Sequence, residues 1–184
     1  MFSGSLSYLF NNFSENQSLF SEVLLKAREL GYTEPDPRED LDGMDVARKL
    51  LILAREIGLE SEMDDVEIQN LIPEALQNED DFDSFLQHKE ELDIHYKKLK
   101  SSLKENEVLR YIGDLDVEKH QLNVKLIKVD KNSPLGGIKN ADSIFEIYTS
   151  GYGDHPLIIQ GAGAGAEVTA RGVYTDILKI GNQL

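Results

Sequence analysis

Between Glu34 and Lys49 the chain carries Glu34, Asp36, Glu39, Asp40, Asp42 and Asp45, and then a lysine. Pro35 and Pro37 stiffen the start of this run and push Glu34 and Asp36 toward extended backbone. Carboxylates held on a stiff loop can accept an ammonium group. A lysine beside them is suited to proton transfer, because its pKa moves readily with burial and neighbouring charge. Asp45 and Lys49 are four residues apart on a predicted helix and therefore share a face. Periodicity alone also allows a simpler reading, in which this is a capped helix with a solvated ion pair worth about a few tenths of a kcal/mol.

A second candidate runs from Leu157 to Ala166, LIIQGAGAGA, a strand entering a glycine-rich turn that opens a helix. Gly161, Gly163 and Ala166 fit the G-x-G-x-x-A dinucleotide fingerprint. Backbone N–H groups at a helix N-terminus suit an anion. The fingerprint also needs a further strand and an acidic residue about 20 positions on, and 18 residues follow Ala166. The segment therefore reads either as a loop touching a cofactor held elsewhere or as a turn of small residues for close packing. His88, His95, His120 and His155 have no metal-ligand spacing, and no metal site is expected. The SGSLS segment, Ser3 to Ser7, offers hydroxyls and Gly4 to a ligand but is also an ordinary lead into a helix.

The elements that must position these residues follow from hydrophobic spacing. Helices are predicted over 2–13, over 15–30 with Ser14 as cap and Gly31 as stop, and over 44–57 with Asp42 as cap and Gly58 as stop. Residues 32–42 form an ordered acidic loop. Val66–Ile72 reads as a short extended segment, and 78–106 as one or two exposed charged helices. Val108–Leu115, Leu122–Val129, Ile144–Thr149 and Leu157–Gln160 are β-branched or alternating and read as strands, and 167–180 as a closing helix. Helices first and strands later give an α+β fold, a mostly antiparallel sheet covered by helices on one face.

Composition narrows the function. The 184 residues make one domain of ordinary size, or a domain with a short appendage. The absence of cysteine removes disulfide frameworks and thiolate zinc sites. A net charge of −15 makes nucleic acid and anionic membrane surfaces poor partners. No apolar run approaches the roughly 18 residues of a membrane span. The start, MFSGSLSYLF, has neither a basic leader nor a long apolar stretch, so it reads as no signal peptide, and a cytoplasmic location is expected.

Ala27 to Lys49, ARELGYTEPDPREDLDGMDVARK, resembles the signature of the homoserine dehydrogenase family, with Gly31, Pro37, Asp40, Gly43, Asp45 and Lys49 at matching spacing. Phe2 to Tyr8 and Gly161 to Leu178 resemble the family's opening and closing segments. The likeness spans essentially the whole chain and is loosest over 60–105. It implies NAD or NADP chemistry between L-homoserine and L-aspartate 4-semialdehyde, as part of threonine and methionine biosynthesis. Lys49 is then the proton-transferring residue, and Asp45 orients it and contacts substrate. Glu34 and Asp40 belong to the homoserine site, Glu34 facing the ammonium, with Tyr32 beside the substrate. Gly165 and Gly163 fall on the cofactor contact of the closing loop. The resemblance also implies a homodimer, built through the sheet face away from the helices.

On this likeness residues 1–160 form a catalytic and dimerisation domain. Residues 161–184 form a loop and helix that pack toward a nucleotide-binding domain, without which the chain is expected to be inactive. The ARKLLILAREIG helix looks like that of the bifunctional aspartokinase–homoserine dehydrogenases. The rival reading is a non-catalytic dimerisation or amino-acid-binding module, and a lysine buried among carboxylates would argue against it.

Overall fold

The computed structural model describes residues 1–163 and 166–182. Helix α1 (Gly4–Glu15) starts at Ser3, whose side-chain oxygen accepts the Leu6 N–H at 3.4 Å. Its stripe of Leu6, Leu9, Phe10 and Phe13 is buried, as helical spacing requires. Helix α2 (Phe20–Glu29) follows. The sequence points to Ser14 as its cap, but Ser14 lies in the last turn of α1 and its hydroxyl accepts the Leu109 N–H at 3.3 Å. At α2 the Glu22 carboxylate instead reaches back to accept the Leu19 N–H at 3.0 Å.

Gly31 ends α2 in the left-handed region, φ 73°, and the Tyr32 N–H returns to the Ala27 carbonyl at 3.0 Å. The acidic loop contains one helical turn, α3 (Arg38–Leu41), entered from Pro37. Helix α4 (Met44–Glu56) has Gly43, not the expected Asp42, as its N-cap; Asp42 sits one residue earlier and accepts the Met44 N–H at 2.8 Å. The charged stretch resolves into two helices, α5 (Phe82–Gln87) and α6 (Lys89–Ser101).

The predicted strands are present as β1 (Val66–Ile68), β2 (Glu107–Asp116), β3 (Gln121–Asp130), β4 (Asp142–Ile147) and β5 (Leu157–Ala162). Most of the pairing is antiparallel, but the strands form two sheets rather than one. The order β1-β3-β2 holds β1 parallel to β3, and β4-β5 is a separate antiparallel pair. Met1 and Ile144 exchange hydrogen bonds of 2.8 Å in both directions, so the chain start binds β4 backbone.

Leu109, Tyr111, Leu122 and Val124 alternate onto the helix-covered face and join the main core with α1, α2 and α4. The opposite face, expected to meet a second copy, is covered at one end by the chain itself. Leu135, Ile138, Met1 and Ile144 form a small second core packed with Ile112, Ile127 and Val129. Beneath it Arg110 is 1 % exposed and donates to the carbonyls of Leu109, Leu135 and Gly136 at 2.8, 3.1 and 2.6 Å. Burial lowers its pKa to about 10, a loss that the charge of Glu15 opposes. Helix α7 (Ala166–Gly181) contributes nothing to either core, and its Val173, Tyr174, Ile177 and Leu178 are exposed.

Candidate active site

Three elements supply the site. The turn after α2 brings the chain back over the N-terminal half of α1, and α3 closes the loop so that Asp40 faces its beginning. The Asp40 carboxylate accepts the Glu34 N–H at 2.9 Å and lies close to the Ser5 hydroxyl. Ser5 in turn shares a hydrogen bond of 3.0 Å with Ser3, and both serines are buried. Burial pushes the Asp40 carboxyl above the ordinary carboxylate range. The Ser5 hydroxyl and the Glu34 N–H pull it back down, and the charges of Glu34 and Asp45 add to the rise. Asp40 thus lies within reach of the charges of both Glu34 and Asp45.

Helix α4 supplies the cation. Lys49 Nζ lies 2.7 Å from Asp45 Oδ2 and donates also to the Phe2 carbonyl at 3.3 Å. Both side chains are 47 % exposed, so the lysine is not the buried one that would argue against a non-catalytic module. An ammonium has three N–H donors, and two are engaged here, leaving one for a ligand oxygen.

Tyr32 stacks on Tyr8 of α1, ring centroids 4.4 Å apart at 18°. Ser5 and Tyr8 are three apart on one helix, so a single face of α1 holds the beginning of the acidic loop through Tyr32 and its later part through Asp40. Tyr8 went unnoticed in the sequence. Its only signal is that helical spacing from Ser5, which has no meaning until the loop is known to cross α1.

Gly163 follows β5, and a Cβ built there would sit 2.0 Å from Ser143 Oγ, so the chain passes Ser143 where no side chain fits. Gly161, by contrast, has open space around its Cβ position. Gly165, the other glycine expected at the cofactor, lies outside the described residues. His88 pairs with Glu79 at 2.9 Å, away from the lysine, and among the described residues no cluster of acidic or histidine side chains is placed to hold a metal ion. A cavity of about 420 Å³ lies in a mostly apolar groove between α4 and β4. It shares Phe2 with the site but holds none of the acidic loop, and Glu56, Asp114 and Glu146 line it beside Leu53, Ile57, Leu115 and Phe145. The acidic loop with Asp45 and Lys49 is the candidate site.

Comparison with known proteins adds a family to this geometry. Residues 1–178 match the family model described as homoserine dehydrogenase. The bifunctional aspartokinase/homoserine dehydrogenase 2 of Zea mays, named chloroplastic, is 45% identical over 185 residues, covering 100% of this chain and 20% of that protein. The homoserine dehydrogenase of Emericella nidulans is 46% identical over 190 residues, covering 98% of this chain and 52% of that enzyme. A crystal structure of a Candida auris protein of unknown function superposes with a TM-score of 0.88 at 45% identity, over 98% of this chain and 51% of that one. Staphylococcus aureus homoserine dehydrogenase shares the fold, with a TM-score of 0.69 at 20% identity over 100% of this chain and 41% of that one. The chain thus spans about half the length of its stand-alone fungal relatives and about a fifth of the bifunctional plant ones. With a match across nearly its whole length, the chain belongs to the homoserine dehydrogenase family.

Proposed function

We propose that this chain is the substrate-binding and catalytic part of a homoserine dehydrogenase that interconverts L-homoserine and L-aspartate 4-semialdehyde. The observation that carries the reading is the Lys49–Asp45 pair at 2.7 Å, set beside the mutually interacting carboxylates of Asp40 and Glu34. Glu34 and Asp40 receive the substrate ammonium. Asp45 and the Phe2 carbonyl hold Lys49, whose remaining N–H meets the substrate oxygen. In the reduction of the semialdehyde that N–H supplies the proton to the substrate oxygen, leaving a neutral amine, and in the oxidation of homoserine it is the neutral amine that takes the hydroxyl proton and becomes the ammonium. NAD or NADP, when bound, accepts or delivers the hydride at C4, and much of the rate comes from holding the two carbons in line. The open backbone at Gly161 and the tight passage at Gly163 support a loop that lies against a cofactor held mainly by a separate nucleotide-binding domain. That domain is the partner of the exposed apolar stripe of α7, and residues 161–184 dock to it while 1–160 bind substrate and dimerise. The absence of cysteine suits a reducing compartment such as the cytoplasm.

The exposure of Lys49 and Asp45 favours a second reading, a solvated ion pair on an amino-acid-binding module without catalysis. Kinetics of the enzyme assembled with its nucleotide-binding domain separate the two. Lys49→Ala should lower kcat and kcat/KM together by about 10²–10⁴. Lys49→Arg should not restore the rate, because a guanidinium holds its proton too tightly. Glu34→Gln should mainly raise KM for homoserine. An effect of Lys49→Ala on KM alone, or near-normal turnover by the arginine variant, would leave the second reading.

A further inference from the structure

We propose that Arg38, with Arg28 beside it, is a positioning residue for substrate binding, clamping the acidic loop onto the segment that begins α5. This rests on the placement of the substrate ammonium at Glu34 and Asp40. The guanidinium of Arg38 donates to both carboxylate oxygens of Asp36 at 2.6 to 3.0 Å, while its other arm donates to the Glu79 carbonyl at 2.8 Å. Asp36 also accepts the Arg38 N–H at 3.0 Å. Both side chains are partly buried, at 20% and 29% exposure, and less open than the ion pair of Lys49. The arginine draws the Asp36 carboxyl below the ordinary carboxylate range, and Asp36 raises the arginine in return.

Arg28 makes the second half of the clamp. Its Nε donates to the Pro35 carbonyl at 2.9 Å, and its guanidinium lies 4.7 Å from the centre of the Phe82 ring. Pro35 and Asp36 directly follow Glu34, and both are tied to 79–82, a stretch holding no residue of the site. Two forks and two prolines thus fix the backbone that carries Glu34, while Asp40 fixes its N–H. A fork suits this task because one planar group grips both carboxylate oxygens of Asp36 and the Glu79 carbonyl in a fixed geometry, which the point charge of a lysine does not impose.

The test is steady-state kinetics of the enzyme assembled with its nucleotide-binding domain, with Tm measured on the same samples. Arg38→Gln should raise KM for homoserine about tenfold, with kcat within about twofold. Arg38→Lys, which keeps the charge, should recover little of the loss. Arg28→Met keeps the stem over Phe82 and removes only the bond to Pro35, and should raise KM about threefold. A lowered Tm with KM unchanged, or full recovery by lysine, would overturn the clamp. Glu34→Gln run in parallel separates the two claims. If Glu34→Gln raises KM and the arginine variants do not, the clamp alone is wrong. If none of them changes KM, the substrate placement is wrong and the clamp falls with it.

Discussion

Asp40 is the residue whose environment departs furthest from water among the four at the centre of the site. Its carboxyl is held above the ordinary range by burial, so in the folded chain it keeps its proton to higher pH than in the unfolded one. A raised acid contributes stability that is present below the unfolded pKa of about 3.8 and is lost as pH rises through the folded value. An ammonium ligand prefers the ionised form, so stability and binding run in opposite directions. KM for homoserine should therefore climb as pH falls, beginning above the range of an ordinary carboxylate. In Asp40→Asn that acid-side rise should disappear, with KM about tenfold higher at neutral pH. An unchanged pH profile in the variant would remove Asp40 from substrate binding. At this scale the local pairs were legible in the sequence. Asp45 and Lys49 meet because four residues make a little over one helical turn, and the prolines announce a stiff acidic loop. The contacts of Ser5 with Asp40 and Tyr8 with Tyr32 were not, because they depend on where the loop crosses α1.

At the scale of elements, α4 carries Asp45 and Lys49, and its entry is set by Gly43. That glycine has φ 80°, and a Cβ there would lie 2.1 Å from the Tyr111 hydroxyl, which is itself engaged with the Gln69 carbonyl at 2.6 Å. Gly43→Ala should cost about 2–5 kcal/mol, from left-handed strain together with overpacking. For a chain of this size that lowers Tm by roughly 10 °C. Gly58, with φ 90° and open space, is the control, and Gly58→Ala should lower Tm by only about 2–4 °C. Equal losses in thermal melts would dismiss the contact with Tyr111. Element positions were largely readable, since β2 to β5 begin and end within about two residues of their alternating patterns, although β1 stops at Ile68, four residues short of Ile72. Their division into two sheets was not. Alternation reports which face a residue takes but says nothing of its neighbour, and no local pattern shows Met1 bonding to Ile144.

For the whole molecule the question is what covers the surfaces left bare. The second face of the β2–β3 sheet is filled at one end by Leu135 and Ile138, which leaves the apolar groove and the exposed residues Ile147, Leu157, Ile158 and Ile159 along the β4–β5 pair. Apolar surface of this kind is normally buried against a partner. A two-fold dimer through 108–160 should sediment as such at micromolar concentration, and a monomer there would count against it. The cover drawn from the chain's own loop was not legible in the sequence, because Arg110 reads as a surface residue until the carbonyls that receive it are seen.

Helix α1 serves three masters around its circumference. Leu6, Leu9, Phe10 and Phe13 face the core, Ser5 and Tyr8 hold the acidic loop, and Ser7 and Asn11 donate to the carbonyls of Asp142 and Asn140 at 2.9 and 2.8 Å. One residue inserted or deleted within its first turns would rotate everything on one side of the change by about 100° relative to the other. Such a change would misalign loop, core and second sheet at once. A lineage carrying this fold can alter the length of almost any surface turn, but along α1 it is bound to substitution alone.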